Sequence, residues 1–171
     1  MKTPQPSARL DLGFLVPQGG IVAELGVARG EFSAALLRNH PQIGKLYAID
    51  KWNDERHPKS EKNAACKNLA DPRAVIVHQT FEQAAASPQF DGIEFDLVYV
   101  DGYAHTGQDN GRTLDLWWPK VKPGGIFAGH DYDPHWPKTI QAVNTFAYGR
   151  NLIINTIHER PFNSWWIKKP A

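Results

Sequence analysis

Five short apolar runs, at residues 21–25, 46–49, 74–77, 95–100 and 125–128, alternate along the chain with segments whose apolar residues recur at helical spacing. No other feature narrows the fold as much. The runs lack the polar alternation of a half-solvated strand and are mostly β-branched or aromatic, as strands buried on both faces of a parallel sheet are. Between them Phe32, Ala35 and Leu36, then Ala64, Ala65 and Leu69, then Leu114, Trp117 and Trp118, and last Ile140, Val143 and Ala147 mark one-faced helices. Right-handed crossovers then predict a doubly wound, Rossmann-like α/β sheet covered on both sides. After Gly149 residues 152–157 and 164–168 read as two strands, and residues 158–163 between them are too few for a crossover helix. The expected sheet is therefore seven-stranded and mostly parallel, with an antiparallel C-terminal pair.

A chain of 171 residues, 42% of them hydrophobic, fits one domain: an N-terminal extension over residues 1–19 and a core over 20–168. Lys and Arg number 19 against 18 for Asp and Glu, with no basic block, which disfavours nucleic acid as a partner. The lone Cys66 offers neither a disulfide nor a thiolate metal cage and reads as core filler in a helix; a cytoplasmic setting is expected. Residues 1–6 lead into no apolar export segment, and no run of apolar residues is long enough to cross a membrane. His40, His57 and His158 stand beside Pro or charged neighbours and read as solvated loop residues.

In open α/β sheets ligands sit beyond the C-terminal ends of the strands, so the residues there carry the functional reading. The first strand runs into Glu24-Leu25-Gly26-Val27-Ala28-Arg29-Gly30. Counted from Gly26, a dinucleotide fingerprint would need glycine at Ala28 and Glu31, and the one Gly-Lys pair, Gly44-Lys45, is followed by Leu46 rather than the Ser or Thr of a P-loop. An acid before the first glycine suits a cationic or amine-bearing ligand better than a pyrophosphate. The fourth strand delivers Asp101 and, four residues on, His105; the fifth delivers His130 and Asp131. If those strands are neighbours, two carboxylates converge and must be protonated, hydrogen-bonded or bridged by a cation, for which a hard divalent ion is suited.

Glu24, Gly26 and Gly30, with the small Ala28 in the middle place, resemble motif I of the class I S-adenosylmethionine-dependent methyltransferases. The resemblance extends over residues 20–168. It implies S-adenosylmethionine held by Glu24, Gly26, Ala28 and Gly30, by Asp50 at the ribose hydroxyls with Lys51 beside it, by Thr80 and Phe81 along the adenine, and by Asp101. The strings around Asp101 and Asp131 are similar to a subgroup of small-molecule O-methyltransferases, related to macrocin and mycinose-pathway sugar methyltransferases and to cephalosporin-biosynthesis methyltransferases. That likeness implies Mg2+ or another divalent cation on Asp101, His130 and Asp131, with His130 standing where the subgroup has an acid. It also puts the catalytic groups at His105, His130 and Asp131, one histidine acting as general base.

The expected activity is methyl transfer to a small-molecule acceptor, at oxygen. Two rivals stand beside it: a non-catalytic module binding S-adenosylmethionine or S-adenosylhomocysteine, and a methyltransferase acting on protein or nucleic acid. The second is lowered because residues 101–104 are Asp-Gly-Tyr-Ala rather than the Asn/Asp-Pro-Pro-Tyr of base amino-group methylation. An extension of residues 1–19 is too brief for a cap domain, so either a second copy in a homodimer completes the acceptor pocket or the acceptor sits in a shallow cleft, the homodimer being preferred.

Overall fold

Residues 5–53, 58–102 and 105–171 are described by a computed structural model, the side chains of His105 and Thr106 excepted. Each apolar run forms a strand: β1 (Gly20–Leu25), β2 (Ile43–Asp50), β3 (Ala74–His78), β4 (Phe95–Val100) and β5 (Val121–Gly129). All neighbouring pairs among these five are parallel. The helices between them are α1 (Glu31–Asn39), α2 (Lys59–Asn68), α3 (Phe81–Ala85), α4 (His105–Gln108) and α5 (Arg112–Trp117), followed by α6 (Pro137–Tyr148) after β5. The chain ends in β6 (Asn155–Ile157) and β7 (Ser164–Lys168).

The seven strands lie in the order β3-β2-β1-β4-β5-β7-β6, and β7 runs antiparallel to both β5 and β6. This is the expected Rossmann-like sheet with its antiparallel ending. The chain winds outward from β1 to β3, then returns to the other side of β1 for β4, which opens a crevice at the C-terminal ends of β1 and β4. Alternation along the strands feeds two cores. Ala23, Leu25, Val98 and Phe127 join Trp117 and Phe146 on one face, while Val22, Leu46, Leu97 and Ile126 join Leu36 and Leu37 on the other.

Several local expectations are corrected. Residues 152–154 are not strand: Asn151 takes a left-handed φ of 58° and Leu152 N–H turns back to Ala147 O at 2.9 Å, so pairing starts only at Asn155. Cys66 is exposed, because α2 turns Ala65 and not its neighbour inward. His40 is buried with Nε2 2.8 Å from Leu10 O, where a Cβ on Gly13 would collide with its ring. His57 lies outside the described residues. The extension is tied down as well, since a 3-10 turn over Arg9–Leu15 buries Leu12, and Val16 follows it into the α1-side core. No helix among the described residues is long and apolar enough to cross a membrane.

Candidate active site

The loop after β1 is held by backbone and carboxylate bonds to its neighbours. Gly26 N–H reaches Ile49 O at 2.9 Å, and Asp101 N–H reaches Leu25 O at 2.8 Å, locking the ends of β2 and β4 against it. Gly26 has φ 96°, a left-handed value, and a Cβ there would run into Asp101 O and Gly102 Cα. Only glycine fits where two strand ends approach this closely. Ala28 also adopts a positive φ, 47°, which costs a non-glycine residue about 1–2 kcal/mol and explains why this place favours glycine.

Asp50 compensates for that strain. Its Oδ2 accepts Val27 N–H at 2.9 Å and Ala28 N–H at 3.0 Å, and its Oδ1 accepts Trp52 N–H at 3.1 Å. The residue is 3% exposed. Trp52 seals the loop from outside: its indole N–H donates to Ala28 O at 2.7 Å and the side chain is fully buried. Asp50 is thus first the clamp of the glycine loop, which its strand-end position alone does not reveal.

Glu24 is 2% exposed and accepts a hydrogen bond from the Ser33 hydroxyl of α1. Burial pushes its carboxyl up from the ordinary 4.5 to about 8, opposed by the Ser33 bond. Between roughly pH 4.5 and 8 the folded protein therefore holds a proton that the unfolded chain has released, and stability falls as pH rises across that window. Urea unfolding of Glu24→Gln should lose this slope; parallel pH profiles for the variant and the wild type would contradict the assignment.

Across the crevice, the ends of β4 and β5 bring Asp101, His130 and Asp131 together, with one ligand atom from each lying within 4.8 Å of the others. His130 Nδ1 is 3.0 Å from Asp131 Oδ1 and 3.7 Å from Asp101 Oδ1. Burial works to lower the His130 pKa, yet the Asp131 bond and the charge of Asp101 together outweigh it and hold the imidazole above its ordinary value. Behind this group His135 and Phe162 stack at 5.2 Å, with Trp136 edge-on to both, which gives the loops after β5 and β6 an aromatic face.

The extension contributes a residue that the sequence reading missed. Arg9 Nη1 donates to Asp101 Oδ2 at 3.1 Å, its guanidinium lies 5.0 Å over the Phe32 ring, and the Arg9 main-chain N–H donates to Glu159 Oε2 at 3.2 Å. An ion pair spanning 92 positions has no local signature; the only hint is a cation just before the apolar Leu10, Leu12 and Leu15.

Of the other expected site residues, Gly30 opens α1 against Ala65 and Leu69. Lys51 O accepts from His78 Nε2 at 2.7 Å. The Thr80 hydroxyl caps α3 by accepting Gln83 N–H, and Phe81 packs into the core directly beneath Gly102. His105 opens α4, but its side chain lies outside the described residues.

Beyond the parallel strands, then, a left-handed glycine loop braced by a buried carboxylate lies on the same sheet edge as an acid-histidine group. A family model described as a methyltransferase domain matches residues 23–132, and the chain belongs to that family. An O-methyltransferase family protein from Burkholderia thailandensis superposes with a TM-score of 0.70 at 13% identity, over 95% of this chain and 54% of that one. The O-methyltransferase from Bacillus cereus, solved in complex with S-adenosylhomocysteine, does so with a TM-score of 0.71 at 14% identity, over 98% of this chain and 83% of that one. At such identities the likeness is one of fold. In sequence, the serine/threonine-protein kinase Sgk1 of Danio rerio is 28% identical over 114 residues, 58% of this chain and 24% of the kinase. This chain therefore spans about a quarter of that curated relative, and neither the His-Arg-Asp nor the Asp-Phe-Gly string of kinase catalysis occurs in it.

Proposed function

We propose that the chain transfers a methyl group from S-adenosylmethionine to a hydroxyl oxygen of a small-molecule acceptor. The observation that carries this reading is the meeting of the Asp50-clamped loop with Asp101, His130 and Asp131 at one crevice. S-Adenosylmethionine, when bound, supplies the electrophilic sulfonium methyl. Asp50, Lys51, Thr80 and Phe81 are proposed to line its nucleoside, with Asp101 placing negative charge toward its cationic end and Glu24, protonated below about pH 8, standing there as a neutral polar group.

The acceptor would enter from the side of His130 and the Phe162 face. With Nδ1 turned to Asp131, His130 would take the acceptor hydroxyl proton at Nε2, while Asp131 orients the ring and stabilises the imidazolium. His105, at the start of α4, is the second candidate base. Alternatively, two carboxylates and one imidazole within 4.8 Å suit a divalent cation held by Asp101, His130 and Asp131; an imidazole so bound has no basic nitrogen left for the acceptor proton, and His105 would then be the base. The cation's chemistry there would be to lower the acceptor pKa. The strings around Asp101 and Asp131 also favour the sugar and antibiotic-type acceptors of the subgroup they resemble, and a second copy of the chain could complete the acceptor side.

Transfer of labelled methyl from S-adenosylmethionine to a panel of hydroxyl-bearing compounds tests the reading. Because His130 is held above its ordinary value and must be neutral to accept a proton, the rate should climb with pH until the imidazole is deprotonated, on a limb displaced to higher pH than a free histidine gives. His130→Gln should flatten that limb and lower kcat by about 10²–10⁴-fold. An unaltered profile would remove His130 as the base, and binding of S-adenosylhomocysteine with no transfer to any acceptor would favour a sensor.

A further inference from the structure

We infer that Arg9 is a tethered counter-cation of the Asp101-His130-Asp131 group: its guanidinium balances Asp101 when no divalent ion is present and must leave before one binds. The inference rests on reading those three residues as the acceptor side of a methyl-transfer site. Its own support is geometric. Asp101 lies between Arg9 and His130, with Arg9 Nη1 at 3.1 Å from Oδ2 and His130 Nδ1 at 3.7 Å from Oδ1. A divalent ion joining Asp101 to His130 and Asp131 would sit against the guanidinium, and arginine cannot shed its charge to relieve the repulsion.

The tether is anchored on its C-terminal side and preformed on its other side. Leu12 and Val16 are buried in the α1-side core, while Asp11 accepts hydrogen bonds from the Ser7 N–H and hydroxyl at 2.8 and 2.7 Å. Between these fixed points the Arg9 side chain, 33% exposed, lies along the Phe32 ring and hydrogen-bonds Tyr99, contacts it would give up together with Asp101 on leaving. Glu159, which accepts the Arg9 main-chain N–H and the Ser164 hydroxyl, is the anion beside which a displaced guanidinium can settle. Arg9 therefore sets the cation preference of the site, holding it against weakly bound divalent ions and joining the first turn of the chain to the ends of β4 and β5.

Mn2+ binding to the full chain, followed by electron paramagnetic resonance of the free ion, tests this. Arg9→Gln should bind Mn2+ at least about tenfold more tightly than wild type, because both the competing bond and the repulsion are gone. Arg9→Lys, which keeps the charge, should bind like wild type, and adding Asp101→Asn to Arg9→Gln should erase the gain. Equal or weaker binding by Arg9→Gln, an equal gain in Arg9→Lys, or no Mn2+ binding by either wild type or Arg9→Gln would overturn the proposal. Should Arg9→Gln fail to fold, hydrogen exchange on the wild type decides instead: Mn2+ is expected to speed exchange across residues 9–12, and unchanged exchange counts against the displacement. Wild-type affinity for S-adenosylhomocysteine is read separately, since its absence would defeat the methyl-transfer reading while the Mn2+ comparison still judges Arg9.

Discussion

Asp50→Ala should destabilise the protein by roughly 3–5 kcal/mol and weaken S-adenosylhomocysteine binding by about 100-fold or more. The first effect follows from three main-chain donors, on Val27, Ala28 and Trp52, that lose their acceptor at once. Buried donors left unpaired cost about 1–3 kcal/mol each, and water entering the vacated space recovers part of that. The second effect follows because Ala28 stays at a positive φ only while the clamp holds it; once released, the loop relaxes and the nucleoside loses its backbone cradle. Asp50→Asn retains one acceptor oxygen and should fall between the two proteins in both measurements. Urea melts and calorimetry on the three proteins decide the matter. Affinity within about threefold of wild type in Asp50→Ala would show that the loop keeps its shape unaided.

Gly26→Val should be nearly as damaging, by a different route. The new side chain meets main-chain atoms of Asp101 and Gly102, which cannot rotate aside as the end of a flexible side chain would. Strain at a left-handed φ adds about 1–2 kcal/mol and overpacking about 1–3 kcal/mol, so a loss of roughly 2–5 kcal/mol in stability is expected. The displaced end of β4 also carries Asp101 away from His130, so both cofactor binding and transfer should fail even in molecules that remain folded. Gly124→Ala is the matched control: φ there is 77°, but a Cβ meets nothing within 4 Å, so only the backbone strain should register and activity should persist. Equal behaviour of the two variants would show that the crowding at Gly26 has no bearing on the site.

The sheet was legible because a parallel strand buried on both faces leaves an uninterrupted apolar run, and each of the five runs became a strand with ends moved by a few residues. The antiparallel ending was legible from the short link before Ser164. The insertion of β7 between β5 and β6 was not, since pairing order depends on which edge the returning chain meets. At the site, Asp101, His130 and Asp131 could be placed together because each follows an adjacent parallel strand. Thr80 and Phe81 stand at the end of β3 where they were expected, and the helix cap and core contact they also make could not be read from that position alone. Asp50 was found for its position and proves to brace the loop. Arg9 escaped notice because its partner lies far along the chain, and His40 because its burial depends on the same N-terminal turn.

The most direct test is a calorimetric titration of S-adenosylhomocysteine into the full chain. The account predicts saturable binding of one molecule per chain, with an affinity in the range of about 1 μM to 1 mM usual for enzyme ligands. No saturable binding across that range by the folded protein would contradict it.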